Sequence, residues 1–166
     1  MKREETSGAS NTSWLATTKP IKFSPLKKNI SVDTVIVGGG ISGLTTAYIL
    51  ASNGKKVALV EDGWIGSGET GRTTAHISYV LDKDYSELLK IHGIEKTRLA
   101  AESHKGTIDM IEEIIKKEEI DCNFERLDGY FFGNKTDIKN ELKALHSLGF
   151  RDVKLVKSPL DFYDIG

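Results

Sequence analysis

Gly38, Gly40 and Gly43 fall in the spacing G-x-G-x-x-G, and what surrounds them constrains the fold more than any other feature of the chain. Asp33 to Val37 is a short β-rich run. Leu44 to Ser52 reads as a helix, Gly54 closes it, and Val57 to Val60 is a second apolar strand. Strand, glycine turn, helix and strand form a βαβ unit of about 30 residues, the context in which this spacing binds a dinucleotide. Gly38 turns the chain sharply out of the strand. Gly40, without a Cβ, lets a pyrophosphate approach the backbone. Gly43 and the small Ala47 on the same helix face allow close packing on the sheet. The helix start, at Ile41, Ser42 and Gly43, presents N–H groups and a positive dipole end to phosphates. Glu61 ends the second strand about 20 residues on, placed to accept hydrogen bonds from a ribose diol, with Asp62 beside it. A carboxylate there repels the 2′-phosphate of NADP.

Two other readings compete for this stretch. A glycine-rich turn in an unrelated α/β protein lacks a reason for the acid at this distance. A membrane or signal segment over residues 35–51 fails because three glycines, Ser42, Thr45 and Thr46 interrupt the run, and Asp33 and Glu61 bracket it.

After Glu61 comes GWIGSGETGRTTAHIS. Gly63, Gly66, Gly68 and Gly71 mark a long loop, with Ser67, Thr70, Thr73 and Thr74 as hydroxyl donors and Arg72 as its one strong cation. Such a loop exposes many backbone N–H groups and suits a phosphate or a flat polar ring edge.

These two stretches together resemble the N-terminal part of the D-amino acid oxidase-like (DAO) family of FAD-dependent oxidoreductases. The extended fingerprint G-x-G-x-x-G-x3-A-x6-G is filled by Gly38, Gly40, Gly43, Ala47 and Gly54. The family's G-S-G-x-[ST]-G-R loop is filled by Gly66, Ser67, Gly68, Thr70, Gly71 and Arg72. The resemblance covers roughly residues 30 to 160. It implies that the loop runs along the FAD pyrophosphate towards the isoalloxazine, with Arg72 and Thr73 nearest the flavin. Arg72 would place positive charge beside the ring. Some relatives bond the flavin covalently through a histidine in this loop. Here Arg72 stands at that position, so non-covalent FAD is expected, with a structural role for His76. A subset resembles the chain more closely: it has a Ser-Trp arm with threonines, GRTT-A in the loop, and a Rieske iron–sulfur domain at its far C-terminus. Ser13, Trp14, Thr17 and Thr18 match the arm, and Arg72 to Ala75 the loop. A Rieske domain beyond Gly166 is therefore an implied partner.

The rest of the chain adds context. Net charge is −1 over 166 residues, which gives no general attraction to nucleic acid or anionic lipid. The single cysteine, Cys122, excludes an internal disulfide and agrees with a reducing cytoplasm. His76, His92, His104 and His146 are scattered, without metal spacing. Residues 1–31 read either as an arm over a domain surface, irregular up to Ser13 and anchored from Trp14 and Leu15 and then by Ile21, Phe23 and Leu26, or as an unstructured tail. A short helix is expected over Tyr85 to His92 and a long one over Ile94 to Glu119. In the long one Ile108, Ile111, Ile114 and Ile115, with Leu99 and Ala101, form the apolar stripe. Asp109, Glu112, Glu113 and His104 read as a solvated face rather than acid–base residues. Asn123 to Phe132 is expected to be β-like around Asp128-Gly129, with Tyr130 and Phe132 in core packing or, alternatively, at a substrate pocket. Asp137 to Leu148 reads as a helix stopped by Gly149, and Val153 to Val156 as a strand. The stretch from Ser158 to Gly166 reads as the start of another element, so the chain is expected to be a fragment or a truncated product.

The fold expected is α/β: a Rossmann-like FAD/NAD(P)-binding domain of the glutathione reductase type, incomplete, followed by the start of an α+β substrate domain. The arm occupies residues 1–31, the βαβ core and glycine loop 32–80, and the second part 81–166. The function expected is oxidation of a C–N bond in a small amine or amino acid, with hydride passing to flavin. The alternatives are an NAD-dependent dehydrogenase, disfavoured by the Gly66–Arg72 loop, and a non-catalytic dinucleotide-binding fragment. No residue in the chain reads as a general base.

Overall fold

The computed structural model describes residues 12–19 and 21–157, and the chain divides into two compact units, residues 1–76 and 77–166. The expected irregularity of residues 1–11 and the expected element after Ser158 lie outside the described residues.

The first unit is a parallel βαβ start. Strand β1 (Thr34–Val37) pairs in parallel with β2 (Val57–Val60), in the register Thr34↔Val57 to Val37↔Val60. Helix α2 (Ile41–Ser52) crosses between them and contacts both strands; the five-residue helix α1 (Ser13–Thr17) precedes them. The helix ends as its sequence dictates. Asn53 caps it, and Gly54 takes φ +76. The Gly54 N–H donates to the Ala51 carbonyl at 2.9 Å and the Lys55 N–H to the Leu50 carbonyl at 3.1 Å. These two bonds satisfy carbonyls that the helix leaves free and turn the chain back towards β2. Asp33 then ties the strand starts together: its Oδ2 accepts from the Lys56 N–H at 2.8 Å.

The second unit is built on helix α3 (Tyr85–Lys117) and helix α4 (Lys135–Ser147). The two helices expected on either side of Gly93 are there. They join in one span, with the break at Gly93 itself (φ +73, ψ 171). That backbone conformation is essentially glycine-only. The core gathers Tyr85, Ala101, Ala144, Leu148 and Phe150, with Tyr79, Leu81, Leu88, Leu89, Leu145 and Val153 around it. Phe150 stacks on Tyr79 with centroids 5.4 Å apart. It reaches the core because Gly149, at φ +103, reverses the chain after α4, with the Phe150 N–H donating to the Leu145 carbonyl at 3.0 Å.

Several expectations are corrected. Residues 123–132 and 153–156 carry no strand. Their sequences have strand composition, but a strand needs a ladder partner for its backbone groups, and among the described residues neither segment has one. Tyr130 and Phe132 lie 6.4 Å apart, 48% and 42% exposed, and are not core. Leu99, assigned to the apolar stripe, is exposed, while Thr97 and Ala101 are buried. Ile21, Phe23 and Leu26 are exposed rather than packed, so they are not the anchors expected. Helix α4 starts two residues earlier than expected because Asn134 caps it, its side chain accepting from the N–H groups of Thr136 and Asp137.

Candidate functional site

The site grows from the end of β1. The Gly38 N–H donates to the Val60 carbonyl at 2.8 Å, continuing the ladder by one bond, and Gly38 then turns at φ +104. Gly40 is the N-cap of α2 and carries no side chain to cap it. Gly43 is pressed against the turn, because a Cβ there would overlap the Gly38 carbonyl oxygen. The start of α2 is thus held against a bare backbone turn, with its first N–H groups and dipole end unshielded by side chains from the turn. Ile41 and Ser42 complete this first turn, both exposed.

The glycine loop supplies the missing cap. The Ile41 N–H donates to Thr70 Oγ1 at 2.9 Å, from a hydroxyl 29 residues further along. A Cβ on Gly40 would sit 3.1 Å from the same oxygen. The Thr70 hydroxyl keeps its own proton to donate. The two motifs read separately in the sequence therefore meet at one helix end.

Glu61 closes the other side. Its Oε2 accepts from the Gly39 N–H at 2.6 Å and its Oε1 from the Gly63 N–H at 3.0 Å. These bonds, Gly39 first and Gly63 second, hold its carboxyl below the usual carboxylate value; burial opposes them weakly and Asp62 adds a smaller lowering. An ionised carboxylate has about four acceptor sites, more than Gly39 and Gly63 together occupy, so it can also accept from a diol. That Glu61 also braces the turn does not follow from its place at a strand end. Gly39, outside the fingerprint positions, is buried, and a Cβ there would meet Ile65 Cδ1 at 2.5 Å. The signal is the middle glycine of the run 38–40, which the fingerprint spacing alone does not use. Asp62 is exposed beside Glu61.

The loop itself is a turn of 3-10 helix, Glu69–Arg72, with Gly68 as its N-cap and Gly71 buried. A Cβ on Gly71 would meet the Gly66 carbonyl oxygen at 2.5 Å, whereas one on Gly68 would meet nothing. The arm lies on this turn. Thr12 Oγ1 donates to the Gly71 carbonyl at 2.5 Å, and Trp14 Nε1 to the Thr73 carbonyl at 2.8 Å. Thr73 and Thr74 are exposed, their hydroxyls accepting from the N–H groups of Ala75 and His76. Between them and Gly71 lies Arg72, whose Nε is buried without a hydrogen-bond partner. A buried donor left unsatisfied costs about 1–3 kcal/mol, so the guanidinium is set for an acceptor. A pyrophosphate or a flavin ring edge supplies acceptors, and the turn, Glu61 and Arg72 fit such a group.

Comparison with known proteins agrees with this geometry. The family model of the DAO type, FAD dependent oxidoreductase, matches residues 33–160. The chain belongs to this family. Family membership implies a Rossmann-like FAD-binding fold and FAD as cofactor. YhfW of Bacillus subtilis strain 168, a protein named for a Rieske 2Fe-2S iron–sulfur centre, is 33% identical over 139 residues, covering 84% of this chain and 27% of that protein. The gamma-glutamylputrescine oxidoreductase of Escherichia coli K12 is 31% identical over 102 residues, covering 61% of this chain and 24% of that protein. A sarcosine oxidase subunit beta from an Arthrobacter species is 44% identical over 68 residues, covering 37% and 17%. The chain spans about a quarter of the length of the first two relatives. No solved structure matches it.

Arg126 bridges Asp109 and Glu112 at 2.6 Å each, and Lys116 pairs with Glu112, which agrees with a solvated, ion-paired helix face. Among the described residues no cluster of His, Cys, Asp or Glu is placed to hold a metal ion, and no helix is long and apolar enough to cross a membrane.

Proposed function

We propose that these residues form the FAD-binding part of an oxidoreductase that oxidises a C–N bond in a small amine or amino acid. The observation that carries this reading is the Ile41–Thr70 hydrogen bond, which brings fingerprint and loop to one helix end. Gly38, Gly40, Ile41, Ser42 and Gly43 receive the pyrophosphate, with Thr70 donating its free hydroxyl proton to it. Glu61, flanked by Asp62, accepts from the adenosine ribose. Gly68, Gly71, Thr73 and Thr74 line the path towards the ring, and Arg72 donates its unpartnered Nε–H to an acceptor there. The bound FAD, held non-covalently, supplies the two-electron acceptor for the substrate C–N bond. Arg72 stabilises negative charge nearby and requires no proton transfer.

The relatives support the substrate class. A gamma-glutamylputrescine oxidoreductase and a sarcosine oxidase subunit carry amine substrates in their names. The similarity to YhfW supports a Rieske iron–sulfur domain as the electron-transfer partner. The free, exposed Cys122 agrees with a cytoplasmic setting. Turnover is assigned to a protein of the relatives' length, and cofactor capture to these residues.

The test is anaerobic mixing of the full-length flavoprotein with panels of secondary amines, amino acids and 2-hydroxy acids. Bleaching of the oxidised flavin absorbance by an amine or amino acid is the expected result. Bleaching by hydroxy acids alone would reject the substrate class.

A further inference from the structure

We propose that residues Thr12 to Leu15 are a strap that sets the shape of the glycine loop, and through it the affinity for FAD. The inference rests on the FAD reading above. Its geometry is independent of that reading.

Three contacts define the strap. Thr12 Oγ1 donates to the Gly71 carbonyl, Trp14 Nε1 donates to the Thr73 carbonyl, and the Leu15 side chain fills the space over Gly71, with Cδ2 2.9 Å from where a Cβ would stand. The two acceptors are the residues on either side of Arg72. The strap therefore holds the peptide group just before Arg72 and the one just after Thr73, on either side of a residue whose buried Nε lacks a partner. The loop's own turn of 3-10 helix, Glu69–Arg72, with its Gly71 N–H to Gly68 carbonyl bond, and the Ala75 N–H to Thr73 Oγ1 bond, both 3.2 Å, act from within; the strap adds contacts from outside the loop. Ala75, just beyond, sits at φ +57, a conformation an alanine adopts only when its surroundings impose it.

The strap also folds and docks as one event. Helix α1 has five residues, too few to be stable by itself. Its N-cap is Thr12, whose oxygen accepts from the Leu15 N–H at 3.3 Å while its proton goes to Gly71. One hydroxyl thus links formation of α1 to its seating on the loop. A free loop would spread over many conformations, and a cofactor would have to order it on binding; the strap does so beforehand.

The test uses the full chain with Thr12→Val, Thr12→Ser and the pair Thr12→Val/Trp14→Phe. Amide hydrogen exchange is followed without FAD, and FAD affinity is measured by calorimetry. The expected result for the pair is exchange about tenfold faster over residues 68–74, unchanged exchange in β1 and β2, and an FAD Kd about tenfold higher. Thr12→Ser keeps the hydroxyl and should match the parent in both readouts. Unchanged loop exchange in the pair would overturn the strap. Faster exchange with an unchanged Kd would overturn its role in affinity. Failure of the parent chain to bind FAD would count against the cofactor reading instead, and the exchange data would still judge the strap.

Discussion

The carboxylate of Glu61 accepts a hydrogen bond of 2.6 Å from the backbone N–H of Gly39, so the acid at the end of β2 holds the glycine turn at the end of β1. The same side chain braces the turn and presents its remaining acceptor sites to a ribose. Glu61→Gln keeps one oxygen but turns an NH2 group towards one of two N–H donors. FAD affinity is expected to fall by about ten- to a hundredfold, the range for a hydrogen bond to a charged group. The effect on stability has a sign in pH. The folded carboxyl titrates below its unfolded value of about 4.3, so its stabilisation is complete above that pH and is lost as pH falls through the folded value. Thermal unfolding of parent and variant should differ at pH 6 and converge in stronger acid.

Gly43 and Gly68 are both motif glycines, but only one is sterically required. Gly43→Ala drives a methyl into the Gly38 carbonyl and should cost about 3 kcal/mol or prevent folding of the first unit. Gly68 has φ −84 and open space around it, so Gly68→Ala should stay within about 0.5 kcal/mol. Urea unfolding of the two variants separates these outcomes.

Helix α3 ends with the same bond pattern as α4, but on the wrong residue. Glu119 takes φ +51, with its N–H towards the Lys116 carbonyl and the Ile120 N–H donating to the Ile115 carbonyl. A Cβ there costs roughly 1–2 kcal/mol, partly offset by the greater freedom of an unfolded glycine. Glu119→Gly should raise the unfolding temperature by about 1–3 °C. Gly149→Ala, at φ +103, should lower it by a similar amount or more. Differential scanning calorimetry reads both.

Glu141 is a cap supplied from a distance. It is 5% exposed, and its two oxygens accept from the N–H groups of Tyr85 and Ser86 at 2.8 Å each, where Asp84, the N-cap of α3, provides no side-chain bond. Glu141→Ala leaves both donors unsatisfied and should destabilise the second unit by about 2–4 kcal/mol. Denaturant unfolding followed by near-ultraviolet circular dichroism of Tyr79 and Tyr85 measures this.

Local signals were legible in the sequence. The βαβ start, the break at Gly93 and the stops at Gly54 and Gly149 each follow from a few neighbouring residues whose preferences agree. Partners distant in sequence were not. Nothing in the composition of residues 123–132 reveals that no strand among the described residues lies beside them. Nothing around Glu61 announces that Gly39 will occupy it, and Glu141 reads as one more charge on a helix until its pairing with the start of α3 is seen. The arm was half legible: Trp14 and Leu15 are where the chain takes hold, but their target, the carbonyls around Arg72, is set by tertiary contact.

The central claim is that the fingerprint and the glycine loop form one FAD site. It is tested most directly by calorimetric titration of the protein with FAD and with NAD, alongside the Thr70→Val variant, which removes the hydroxyl joining the two motifs. FAD binding by the parent, at least tenfold weaker binding by the variant, and no binding of NAD are the results expected. Binding of NAD without FAD, or equal FAD affinity in parent and variant, would contradict the account.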